Sequence, residues 1–251
     1  MSDTATTFWD HLDVLRGVII RIIAAVMVFG ILAFVFKDEL FQILLAPKDS
    51  SFITYELLGT DSFMVHLVNV GLTEQFMVHV KAAAAAGFIC ASPYIIYALY
   101  GFIAPALYEK ELRYATRIVM SGYVMFLIGI VINYFVIFPL TVRFLGTYSV
   151  SSDVENMLSL SSYIDTLLMM SLVFGIIFEI PVVSWLLGKA GLLKVCWMTQ
   201  YRRHAIVVIL IVAAVITPTS DVFTLLVVSL PIWLLYEISI LLVRHTATDK
   251  P

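Results

Sequence analysis

Glu179 puts a carboxylate inside an otherwise apolar stretch, Tyr163 to Leu187, two residues ahead of Pro181. Such a group can accept charge-assisted hydrogen bonds from a guanidinium, a polar partner helix or water, and it can exchange a proton. At bilayer depth an ionisable side chain costs at least ~2.5 to 3.5 kcal/mol on insertion scales, so it persists where it faces protein, water or a partner. Lys81 is a second ionisable group inside an apolar run, Phe76 to Tyr100. A further set lies between the runs. Asp10 and Asp13 stand one helical turn apart, hence on a common face, with His11 and Arg16 nearby, and Glu109, Lys110, Glu111 and Arg113 follow the second run. Two acidic patches on one side of a membrane could receive a basic peptide, because a guanidinium fork meets a carboxylate through two hydrogen bonds. Taken alone, these charges favour the plainer reading of solvated loop residues with local ion pairs, worth under ~1 kcal/mol each.

Other chemistries lack their residues. The sequence has no phosphate-binding loop, no dinucleotide glycine pattern and no paired histidines at metal spacing; His11, His66, His79, His204 and His245 are scattered. No glycine-flanked serine has a plausible base, and Asp153, Asp165 and Asp221 lie near the ends of apolar runs rather than facing one another at depth. The reading is therefore of a protein that is not an enzyme, with no cofactor or metal and no nucleic-acid partner. Arg202 and Arg203 precede an apolar stretch, but as an internal pair they read as membrane anchors rather than an export signal.

The elements that must position these groups are membrane helices. Apolar residues make up 61% of the chain and charged ones 13%, and the charges bunch between long apolar runs. A single polytopic membrane domain over 1-251 follows, all-α, with six spans near 18-36, 76-100, 118-140, 163-187, 204-217 and 222-241. Arg21 sits one turn inside the first span, where its guanidinium can snorkel. The first run follows the charged segment Asp10 to Arg16 and ends without a small-residue cleavage site, so it reads as a retained span. The tract Ala82 to Ala86 with Gly87 lets a neighbouring helix approach closely. Ala205 to Ile216 gives only about 18 Å of helix against ~30 Å of hydrocarbon. Glu237 is expected to mark the end of the last apolar part, so both final spans read as short, in a bilayer that is thinned or wetted there. Cys90 and Cys196 fall in different segments and read as free thiols.

Lysines and arginines orient the bundle. With six spans, the N-terminal side holds Arg16, Arg21, Lys110, Arg113, Arg117, Lys189, Lys194, Arg202, Arg203, Arg244 and Lys250, and the opposite side only Lys37, Lys48 and Arg143. Both termini are thus expected in the cytoplasm. The two longer opposite-side segments, Lys37 to Thr73 and Leu140 to Ser162, are expected to form a cap, the first through an amphipathic stretch, Asp38 to Leu45, ended by Pro47.

Several separated strings carry a family resemblance: His11, Leu12 with Leu15, Arg16; Glu74, Phe76 and Lys81; Phe102 to Tyr108 with Glu111; Phe174, Gly175 with Phe178, Glu179 and Pro181; Thr217, Pro218 with Asp221; and Pro231 with Tyr236, Glu237. In this order, and nearly end to end, the sequence resembles the TatC family, the multispanning receptor subunit of the twin-arginine protein translocase. The resemblance implies a core receptor of the bacterial cytoplasmic (inner) membrane that binds twin-arginine signal peptides of folded cargo. Glu111 carries the signal-binding role by position. Where the family usually has an acid directly before Leu-Arg this chain has Val14, so Asp10 or Asp13, with Arg16, takes the second place. Glu179 corresponds to the family's intramembrane glutamate, on a concave face near small single-span subunits of the TatA/TatB type. Thr217, Asp221 and Glu237 fall where partner helices are met. The resemblance further implies a multimeric complex in lipid, and export driven by the proton-motive force.

Two other classes stand beside it. A proton-coupled secondary solute transporter would use Glu179 and Lys81 together as a binding or relay site. A structural scaffold would merely satisfy the two groups by buried hydrogen bonds.

Overall fold

In a computed structural model, the described residues are 8–59, 63, 65–103, 115–148, 157–217 and 221–248. Among them the chain is a helical bundle in which five helical stretches are long and apolar enough to cross a membrane. The first is α1 (Phe8–Val35), which breaks at Phe36 into the short amphipathic α2 (Lys37–Leu45), a 3-10 turn with Pro47 and α3 (Ile53–Leu57). After strand β1 (His66–Val68) comes the 30-residue α4 (Glu74–Ile103).

The third stretch is α5 (Ala115–Ile132), a π turn at Asn133–Ile137 and α6 (Phe138–Thr147). Pro139, expected at its far end, instead lies just after the π turn, where Thr54 donates to the Phe135 carbonyl that the missing N–H leaves open, and the helix runs on to Thr147. The fourth stretch, expected as one helix, is α7 (Leu160–Ile177) and α8 (Ile180–Lys189), with a break at Phe178 and Glu179. Short α9 (Val195–Gln200) leads to α10 (Arg202–Ile216) and α11 (Val222–Thr248).

Of the two helices expected to be short, only one is. α10 has 15 residues, about 22 Å, less than a hydrocarbon core. α11 has 27 residues and does not end near Glu237, which pairs with Arg202 at 2.8 Å within a helix that runs on to Thr248.

Helices approach where side chains vanish. A Cβ on Gly87 would stand 2.5 Å from the Gly30 nitrogen, so α1 and α4 touch backbone to backbone. A Cβ on Gly129 would stand 2.5 Å from the Phe174 carbonyl oxygen, and one on Gly175 would stand 2.6 Å from the Phe126 ring, which seats α5 on α7. Beneath the π turn, the core gathers Ile137, Phe138, Ile164, Leu167, Met170 and Phe174 with Ala213 of α10 and Val228 of α11. α1 lies outside this core against α4, with a largely exposed apolar surface, as a lipid-facing helix would have.

The end of the bundle opposite the N-terminus carries a cap. β1 pairs in parallel with β2 (Met157–Ser159), joining two loops that are far apart in sequence. The Tyr55 hydroxyl lies 2.9 Å from the Pro47 carbonyl and 3.0 Å from that of Pro139, sharing its one proton between them, and Tyr134 and Tyr163 donate to Ile43 and Leu44 of α2. Thr54 donates to the Phe135 carbonyl in the π turn. Side-chain hydroxyls thus tie the short helices of the cap to the π turn and to α7 through backbone carbonyls.

Candidate functional site: an acid at the break between two helices

Glu179 sits at a discontinuity the sequence builds locally. Pro181 contributes no N–H, so the carbonyl of Ile177 loses its ordinary partner, and the chain turns tightly with Glu179 N donating to Ile176 O at 3.1 Å. The helix restarts as α8 when Val183 N donates to Glu179 O at 2.9 Å. The side chain is half-buried and lies against Gly122 of α5: an added Cβ there would be 3.0 Å from Glu179 Oε2, 3.5 Å from Oε1 and 3.5 Å from Ile96 of α4. Oε1 is buried with no hydrogen-bond donor among the described residues. A buried acceptor without a donor among the described residues is costly, and it can accept from water or from a polar group of another chain.

Lys81 does not join it. The Lys81 ammonium lies 2.8 Å from each Asp165 carboxylate oxygen, bridging α4 to α7, and Ser161 donates to Asp165 at 3.2 Å. Asp165 and Glu179 are separated along the α7–α8 stretch by about 21 Å. The two acids therefore form separate polar sites, and the shared Glu179–Lys81 relay that a solute transporter would use is not assembled. Two turns nearer the cap on α4, Glu74 closes a second tie between the same helices. Its Oε1 accepts from Ser159 Oγ (2.9 Å) and Ser161 N (2.8 Å), and its Oε2 accepts from Val70 N and Gly71 N (2.8 Å each).

The remaining candidates divide by place. Glu237 accepts from Arg202 at 2.8 Å, pinning α11 to the start of α10, while the neighbouring Tyr236 hydroxyl donates to Met198 O at 2.7 Å. Thr217 is buried and donates to Ala213 O, and Asp221 caps α11 by accepting from Thr224 N at 2.7 Å. These three polar groups therefore shape the α10–α11 pair from its two ends. Asp13 and Arg16 are exposed in the first turns of α1. Asp10 belongs to α1 by its backbone, but its side chain lies outside the described residues, as does Glu111 altogether.

Sequence reasoning missed Asp165 as the partner of Lys81, Arg202 as that of Glu237, and Gly122 as the floor of the Glu179 site. The first was detectable: Lys81 and Asp165 stand at similar depth below the cap ends of α4 and α7. The contact of Gly122 with Glu179 left no such trace, since it depends on how α5 crosses α7.

Comparison with known proteins bears on the whole arrangement. The profile of the family described as Sec-independent protein translocase protein (TatC) matches residues 10–231. A TatC of Aquifex aeolicus is 34% identical over 242 residues, covering 96% of each chain. One from Blattabacterium sp. subsp. Periplaneta americana is 31% identical over 258 residues, covering 97% of each. A crystal structure of the twin-arginine translocase receptor TatC superposes with a TM-score of 0.80 at 34% identity, covering 94% of this chain and 99% of that one. A second, of the receptor in the detergent DDM, gives 0.79 at the same identity. Sequence, fold and nearly complete mutual coverage agree: this multi-pass membrane protein, a translocase component, belongs to the TatC family of Sec-independent protein translocase proteins.

Proposed function

We propose that this chain is the core receptor subunit of a twin-arginine translocase in the bacterial inner membrane. Both termini face the cytoplasm, and α10 makes the sixth crossing through a thinned bilayer. On the cytoplasmic face, Glu111 and an N-terminal aspartate, Asp10 or Asp13, with Arg16 beside them, receive the arginine pair of a signal peptide on folded cargo. Small single-span subunits of the TatA/TatB type assemble along the bundle near Glu179, Thr217, Asp221 and Glu237, giving a multimeric complex. With no nucleotide-binding motif in its sequence, the chain draws on the proton-motive force, whose electrical part supplies ~2.3 kcal/mol per charge per 100 mV.

The observation that carries this reading is the Glu179 carboxylate, held half-buried at a helix break with one oxygen lacking a donor, in a chain related end to end to translocase receptors. The test is photo-crosslinking at position 111 in native membranes. An arginine-paired signal peptide is expected to form an adduct that a lysine-paired one forms at least tenfold less, about 1.4 kcal/mol of lost bidentate recognition. Equal adducts from the two peptides, or none from either, would remove the receptor assignment.

A further inference from the structure

We infer that Gly122 is a positioning residue for the Glu179 carboxylate, and that its missing side chain is what lets the acid lie flat on α5. This rests on the receptor reading for what Glu179 does, and adds which residue holds it in place.

Three observations converge. The space a Cβ would take at Gly122 is bounded by the two Glu179 oxygens at 3.0 and 3.5 Å and by the Ile96 methyl at 3.5 Å, so the carboxylate rests on the backbone of α5 itself. Gly122, Phe126 and Gly129 recur at helical spacing on one face of α5, and the latter two are clamped by Gly175 and the Phe174 carbonyl of α7. That crossing cannot slide to relieve pressure at Gly122, because its closest contacts involve backbone atoms. The third observation is the carboxylate itself, which has a buried oxygen without a donor, although a single hydroxyl on the facing helix would supply one. With no such donor to fix it, the place of the acid depends on the floor that Gly122 leaves open.

Alanine and serine at 122 separate the two consequences. Each adds a Cβ about 3 Å from the acid, closer than ordinary van der Waals contact, so each pushes the carboxylate. Only serine adds a hydroxyl able to hold the displaced acid by a hydrogen bond. A position that mattered only for helix packing would tolerate alanine at least as well as the larger, polar serine.

The experiment uses the full chain in its native membrane with its partner subunits. It measures export of an arginine-paired reporter per amount of chain in the membrane, with the peptide adduct at position 111 read in parallel. Gly122→Ala is expected to reduce export about tenfold with the adduct unchanged. Gly122→Ser is expected to keep clearly more export than Gly122→Ala. Adding Glu179→Asp, which withdraws the carboxylate by one methylene, is expected to restore part of what Gly122→Ala loses. Equal export by the alanine and serine variants, at any level, overturns the inference, and so does failure of both to accumulate, which would make Gly122 a folding residue. Loss of the adduct in the unaltered chain would sink the receptor reading instead, so the two failures are told apart.

Discussion

At the scale of single residues, the polar groups differ in how completely the chain satisfies them. Lys81 and Asp165 pair directly but stay 45% and 44% exposed near the cap ends of their helices, within reach of interfacial water, so their coupling should be small. In a double-mutant cycle of Lys81→Ala and Asp165→Ala, followed by thermal unfolding in detergent, a coupling of no more than ~1 kcal/mol is expected. A coupling of 3 kcal/mol or more would mean that the pair is sealed from solvent. Tyr55 presents the opposite case. Burial pushes its phenol above the ordinary tyrosine range, with Arg143 opposing weakly. The folded cap thus favours the neutral form, and this contribution is complete below the unfolded tyrosine value of about 10 and is lost as pH rises beyond it. Tyr55→Phe should cost ~1 kcal/mol at neutral pH and flatten the alkaline fall of melting temperature; an unchanged slope would assign that fall to other groups.

At the scale of elements, glycine placement decides which helices can touch. Gly87 and Gly101 both lie in α4, yet a Cβ on the first would press on Gly30 backbone atoms at 2.5 and 2.7 Å, and one on the second would meet nothing within 4 Å. Gly87→Ala should therefore destabilise by roughly 1 to 3 kcal/mol and loosen α1 from α4. Gly101→Ala should be neutral or stabilise by up to ~1 kcal/mol through helix propensity alone. Disulfide trapping between cysteines placed at Val26 and Ala84, which flank the same α1–α4 crevice, checks the first. Trapping as efficient as in the parent would show that α1 is held by something else. The same logic explains the break at Glu179, where a proline ends one helix and a clamped glycine stripe on α5 receives the acid.

At the scale of the whole molecule, the cap and the basic residues define two unlike ends. The exposed Cys196 in α9 reports on the end opposite the cap, and the exposed Cys90 midway along α4 on the bundle between. A membrane-impermeant maleimide is expected to label Cys196 in inside-out vesicles and not in intact cells, and to spare Cys90 in both, since an exposed thiol midway along a span faces lipid. Labelling of Cys196 from outside the cell would reverse the orientation derived from the lysines and arginines.

The membrane class, an all-helical fold with helices long and apolar enough to cross, the short α10, the close-packing alanine tract and the isolated acid at 179 could all be read from the order of residues. Each depends on local hydropathy or on one residue's cost in hydrocarbon, and both are properties of a short window of chain. The partner of Lys81, the pairing of Glu237 with Arg202, the parallel pairing of β1 with β2 and the seat of Glu179 on Gly122 were decided only when the helices packed. Those contacts join positions tens of residues apart, and which side chains meet depends on crossing angles set by glycine-backbone contacts that no single segment contains.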